Sequence, residues 1–144
     1  MQFYGLDFGG GGLSAVAGLP HVGGVASRLD PEKVRRTAAE VYGVMTRREE
    51  YFRTAGISSI AEFRARRARG DVSVTDQPWG DVFLVIDGWG NFRTDYDALE
   101  PVVLDIATRG PRLRHPPDPH RFPLHGGPRQ PQGPVDEPPG TAAR

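Results

Sequence analysis

The stretch that most restricts this chain is "VFLVID", Val82 to Asp87. Its apolar residues run without alternation straight into a carboxylate. A continuous run of this length suits a strand covered on both faces, as in a parallel sheet. Asp87 then stands at the carboxyl end of the strand, where open α/β sheets bind their ligands. "GWG" follows at once, so the chain turns sharply there. An aspartate in this place either caps the turn or holds Mg²⁺ against nucleotide phosphates, as the Walker B carboxylate of a P-loop ATPase does.

The remaining elements fit the same class. "QFYGLDF" (Gln2 to Phe8) reads as a strand ending at "GGGG", Gly9 to Gly12. "LSAVAGL" reads as a short helix stopped by Pro20, and "HVGGVAS" as a short strand or strand-like loop. Asp30 is a good N-cap with Pro31 at the first helical position. Val34, Ala38, Val41, Met45 and Phe52 then fall on one helical stripe, with Gly56 as the stop. Ser59 and Glu62 form a capping-box pattern for a helix from Ile60 to about Arg69. Residues 70–80 read as a loop. Pro101 opens a last helix carrying Val102, Val103 and Ile106. Strands alternating with helices predict an α/β fold with a mostly parallel sheet and flanking helices.

The chain divides into two unlike parts. Residues 1–109 carry the folded pattern. Residues 110–144 hold ten of the fourteen prolines and no Ile, Met, Trp or Tyr. Such a segment buries too little apolar surface to offset its ordering entropy, so a disordered Pro-rich tail is expected.

Composition removes several functions. Formal net charge is zero, so no global field draws the chain to nucleic acid or anionic membrane. Cysteine is absent, which excludes disulfides and Cys-based metal sites. No apolar stretch reaches the roughly 18 residues of a membrane span, and no signal-peptide pattern opens the chain; the cytoplasm is the expected location. His21 stands alone and reads as structural. His115, His120 and His125 lack a carboxylate pair and make a weak metal pattern. The arginine-rich helices "RREE" and "RARRAR" read as a solvated face or as a phosphate-contacting surface.

A P-loop needs G-x-x-x-x-G-K-[ST], whose amides and lysine hold the phosphates. The sole lysine, Lys33, sits in "DPEKVRR" with no glycine beside it. Gly9 to Gly12 could approach a phosphate but lacks the lysine and hydroxyl. Residues 1–144 contain no P-loop.

The segments "FYGLDFGGGGLSAVAGLPHVGGVASRLDPEKVRR", "TRREEYFR", "GISSIAEFRARR" and "DVFLVIDGWGNFRTDY" closely resemble the EccC ATPases of actinobacterial type VII secretion. These are FtsK/SpoIIIE-type chains of tandem RecA-like modules. The likeness covers residues 2–109 and is greatest for the second module. It implies a partial RecA-like module of a cytoplasmic motor, acting with the membrane secretion complex to export small helical WXG-type proteins. It implies ATP and Mg²⁺ as the parent's cofactors, Asp87 as the Walker B aspartate contacting Mg²⁺ through water, and Gly88 as the non-acidic residue typical of this module. Hydrolytic versions of the motif usually carry an acidic residue there. The family's Walker A precedes the strand that begins here at Gln2, so the chain is expected to be a truncated module that binds no nucleotide and hydrolyses none. Residues 110–144 are expected to be a frameshifted tail: one base along, permitted codons read "GLGYGIHLILTAS", a strand-like peptide similar to the family at that point. The rival expectation is a small arginine-rich nucleic-acid-binding or docking protein.

Overall fold

The computed structural model describes residues 1–75 and 80–110. Its centre is a three-stranded, wholly parallel sheet in the order β2-β1-β3. The strands are β1 (Gln2–Asp7), β2 (Val22–Ser27) and β3 (Val82–Asp87). A 3-10 turn, Gly12–Val16, stands where a short helix is expected. It joins β1 to β2.

The long helix α1 (Pro31–Ala55) starts and stops as its local chemistry requires. The Asp30 carboxylate accepts the Lys33 N–H at 3.1 Å, and Gly56 closes the helix at φ +62°, a conformation that costs glycine little. All five stripe residues are buried, joined by Thr37. The helix α2 (Ile60–Ala68) is capped by Ser59, whose Oγ accepts the Glu62 N–H at 3.2 Å. The Glu62 carboxylate reaches one residue further back than a standard capping box, to the Ser58 N–H and hydroxyl. These bonds, with Arg66, lower its pKa to about 2.

The segment expected to be a loop contains a short helix, α3 (Val72–Thr75). Val74 is fully buried there, packed with Phe52, Ile57, Ile60 and Phe63 in a small cluster under the end of α1. One apolar anchor leaves no periodicity to read. The helix α4 (Trp89–Asp95) follows β3 directly, and α5 (Glu100–Arg109) packs on α1. The main core joins Leu6, Phe8, Ala26, Val34, Phe92, Tyr96 and Val103. It lies on the helix-covered side of the sheet.

β3 departs from expectation. Its continuous apolar run predicts burial on both faces, yet it is an outer strand and Val85 is 39 % exposed. β1 is the buried central strand instead. The run on β3 marks a strand apt for an interior place, and among the described residues β1 is its only strand neighbour. The expected tail, apart from Gly110, lies outside the described residues, as do His115, His120 and His125.

Candidate functional site

β1 and β3 both run from apolar residues into a carboxylate, and their last residues, Asp7 and Asp87, are register partners. The chain leaves β1 towards β2 on one side and returns to β3 on the other. The crevice between β1 and β3 is therefore where the strand order reverses, the usual ligand position in such sheets.

The two carboxylates differ in what surrounds them. Asp7 is buried, and it accepts the N–H of Gly11 at 3.0 Å and of Leu13 at 2.9 Å. These bonds fold the glycine loop back over the end of β1. The Gly11 N–H above all holds the Asp7 carboxyl below its ordinary pKa, against the opposing effect of burial. Asp7 is thus committed to shaping the loop.

Asp87 is exposed at the end of β3, free of that duty. Its carboxylate rests on the Cα of Gly9: a methyl group there would stand 2.6 Å from the carboxylate carbon. Gly88 follows at φ +76°, and a methyl group on it would lie 2.6 Å from the Phe8 carbonyl carbon and 2.8 Å from the Gly9 nitrogen. Two glycines therefore let the exits of β1 and β3 touch. The Phe8 N–H donates to the Asp87 carbonyl at 2.9 Å, and Asn91 Nδ2 donates to the Phe8 carbonyl at 2.9 Å. These bonds latch α4 to the glycine loop and fix where Asp87 points.

Beside this junction, towards β2, lies a cleft of about 400 Å³ lined by Asp7, Gly10, Ser14, Ser27, Arg28 and Leu29. Arg28 is paired with Asp95 across its rim. Among the described residues no three His, Cys, Asp or Glu side chains gather to hold a metal. A single exposed carboxylate suits Mg²⁺, which keeps most of its water and takes one or two carboxylates plus phosphate oxygens. It does not suit a metal that needs a protein cage. The residues present fit water-mediated Mg²⁺ at Asp87 and no more than that.

The structure sets Asp87 beside Gly9 and leaves the other candidates elsewhere. Lys33 is in the first turn of α1. His21 is exposed, with its carbonyl accepting the Phe3 N–H at 2.8 Å. Several helix arginines are held in ion pairs: Arg53 with Glu50, Arg64 with Asp81 and Arg66 with Glu62. Sequence reasoning passed over Asp7 and Asn91. The signal for Asp7 was present, because "YGLDF" repeats the pattern of an apolar run closing on aspartate.

Asp7→Ala is expected to cost about 1–2 kcal/mol at neutral pH, because it orphans two partly buried N–H donors. Asp7→Asn should cost less and change the acid response. A carboxyl whose folded pKa is lowered adds stability above its unfolded value of about 3.9, and that stability is lost as pH falls through the folded value. Urea unfolding at pH 7 and pH 3 should therefore show a larger acid loss for the native chain than for Asp7→Asn. Equal losses would remove Asp7 from this role.

A model of the FtsK/SpoIIIE family matches residues 1–118. Over 110 residues the chain is 48 % identical to the ESX-1 secretion system protein EccCb1 of Mycolicibacterium smegmatis, covering 76 % of this chain and 18 % of the relative. Among solved structures, it is 50 % identical to the cytoplasmic domain of the Thermomonospora curvata type VII secretion ATPase EccC, with a TM-score of 0.68 over 76 % of this chain and 13 % of that one. A structure of T. curvata EccC ATPases 2 and 3 in complex with a signal sequence peptide aligns with a TM-score of 0.67 at 50 % identity, covering 76 % of this chain and 19 % of that one. The chain thus spans less than a fifth of each protein it matches here. The fold is that of the EccC ATPase domains, as the RecA-like expectation requires.

Proposed function

The chain belongs to the FtsK/SpoIIIE family, and from that premise we propose that it is the Walker B segment of an EccC-type motor module for type VII protein export. The observation that carries this is the placing of Asp87. It stands exposed at the carboxyl end of β3, at the point of strand-order reversal, against the glycine loop that follows β1. In the assembled ATPase, Asp87 would hold a Mg²⁺ ion through its water, and that ion would supply charge neutralisation for nucleotide phosphates. Asp7 and Asn91 are positioning residues. They hold the loop and α4 so that the carboxylate faces the crevice.

The phosphate donors are not in this segment. Residues 1–144 carry no P-loop, so the chain alone neither holds MgATP tightly nor hydrolyses it. The nucleotide site is completed by other sequence of the motor. The likeness to a piece made of ATPases 2 and 3 supports assignment to the second module. That relative's structure holds a signal sequence peptide, which supports export of small helical WXG-type proteins as the task of the whole machine. Work on the cytoplasmic face of the membrane complex accords with the cytoplasmic relative, and no described helix is long and apolar enough to cross a membrane. None of the likenesses reported supports the nucleic-acid-binding alternative.

The test has two arms. The chain alone, titrated with MgATP in a calorimeter and assayed for phosphate release, should give no heat and no turnover. Residues 1–109 exchanged into the matching part of T. curvata EccC should give a folded chimera that binds MgATP, and Asp87→Ala in it should weaken binding at least about tenfold, the loss of one charged contact. A folded chimera that binds MgATP equally well with and without the Asp87 carboxylate would refute the assignment. So would turnover by the chain alone that Asp87→Ala abolishes.

A further inference from the structure

We infer that Arg28 is a positioning residue for Asp87, acting through Asp95 and the direction of α4. The inference rests on the reading of Asp87 as the Mg²⁺ carboxylate. It starts from how α4 is held. This short helix has one buried side chain, Phe92. A single buried ring fixes a point on a helix and leaves its direction open. Contacts away from Phe92 must set that direction.

Asn91 bonds the Phe8 carbonyl, and Arg93 pairs with Glu100 at 2.7 Å. Both are chain neighbours of Phe92, about 1.5 Å from it along the axis, so their leverage is small. Asp95 lies about 4.5 Å along the axis, and Tyr96 closes the helix. Both of these bind residue 28. The Arg28 guanidinium meets the Asp95 carboxylate through two nitrogens, Nε on Oδ2 and Nη2 on Oδ1, the latter at 3.2 Å. The Tyr96 hydroxyl donates to the Arg28 carbonyl at 3.1 Å. The Arg28 N–H donates to the Asp7 carbonyl at 3.0 Å. Residue 28 thus spends its backbone and its side chain on one joint, between the exits of β1 and β2 and the far end of α4. A two-pronged guanidinium–carboxylate pair fixes an angle as well as a distance.

The direction of α4 reaches Asp87 by two routes. The Phe92 N–H donates to the Gly88 carbonyl at 3.1 Å, so the first turn of α4 grips the residue after Asp87. A tilt of the helix also carries Asn91, and with it the Phe8 carbonyl and Gly9, on whose Cα the Asp87 carboxylate rests. The pair itself does little for folding. The Arg28 and Asp95 side chains are 48 % and 25 % exposed, and ion pairs in contact with water contribute little to stability. Losing the guanidinium should therefore leave the fold standing and misplace Asp87.

The test reads both effects. In the full chain, Arg28→Gln should keep the melting temperature within about 4 °C of the native value. Hydrogen exchange at the Phe8 amide, which donates to the Asp87 carbonyl, should become about threefold faster or more. The Phe63 amide of α2 should not change. A larger loss of melting temperature would make Arg28 a structural residue and overturn the inference, as would unaltered exchange at Phe8.

In the T. curvata chimera, Arg28→Gln should weaken MgATP binding about threefold to tenfold, below the 10–100-fold typical of groups that touch a metal ligand directly. Asp95→Asn should do the same. The double variant should lose no more than either single one, because both cut one link. Arg28→Lys keeps the charge without the fork and should fall between the native residue and Arg28→Gln. Additive losses would mean that Arg28 touches the nucleotide itself or acts by another route, and would overturn the inference. So would an Arg28→Gln chimera that binds like its parent while Asp87→Ala weakens binding, a result that leaves the reading of Asp87 standing. If Asp87→Ala has no effect in the chimera, both fall.

Discussion

Phe92→Ala is expected to remove about 3–5 kcal/mol of folding free energy, the usual cost of deleting a fully buried aromatic ring. Phe92 has no exposed surface. Its ring meets Phe8 edge-on at 5.3 Å and lies stacked with Trp89 at 5.3 Å and Tyr96 at 6.3 Å. These partners belong to different parts of the chain. Phe8 follows β1, Trp89 opens α4, and Tyr96 closes it and donates its hydroxyl to the Arg28 carbonyl beyond β2 at 3.1 Å. Removing the ring leaves a cavity where the three strand exits are tied together. Small domains hold only about 5–15 kcal/mol in total, so most of the margin goes. Phe92→Leu keeps much of the volume and should cost less than half as much. Urea unfolding followed by far-ultraviolet circular dichroism distinguishes the two. A loss below about 1 kcal/mol for Phe92→Ala would mean that this cluster does not hold the sheet ends.

The elements legible in the sequence were those set by neighbours along the chain. Asp30, Gly56, and Ser59 with Glu62 act over three or four residues, and each sits where its local chemistry places it. The α1 stripe was legible for the same reason, because one helical period puts Val34, Ala38, Val41 and Met45 on one side. Two other features depend on distant partners. The apolar run of β3 identifies a strand but says nothing of which neighbours flank it, so its outer position and the exposure of Val85 could not be read. α4 has one fully buried residue, Phe92, and its start depends on Gly88 meeting the backbone of Phe8, eighty positions away. Asp87 was legible because an apolar run ending in aspartate has few uses. Asp7 shows the same pattern, but its task appears only when Gly11 and Leu13 fold back over it.

Gly88 is the second position where a large effect is expected, and it bears on the chemistry. Its φ of +76° lies in the left-handed region, which costs a residue with a side chain about 1–2 kcal/mol. A Cβ there would also press on main-chain atoms, the Phe8 carbonyl carbon at 2.6 Å and oxygen at 2.7 Å. Main chain held in a ladder cannot swing aside as a side-chain tip can. Gly88→Ala should therefore cost about 2–4 kcal/mol in all. Gly9→Ala is the informative contrast. The three atoms nearest its Cβ all belong to the Asp87 carboxylate, which is exposed and can turn away, so stability should change by about 0.5 kcal/mol or less while the carboxylate leaves its place. In the T. curvata chimera, Gly9→Ala should then weaken MgATP binding with the fold intact. Gly88→Glu adds a second carboxylate beside Asp87, but it puts the same Cβ against Phe8. It should destabilise the chain at least as much as Gly88→Ala and gain no hydrolysis. The glycine after Asp87 is, on this argument, demanded by the contact between two strand exits, and the lack of a second acidic group follows from that contact. A Gly88→Glu chimera that melts like its parent and hydrolyses ATP faster would show that the backbone contact is not the constraint.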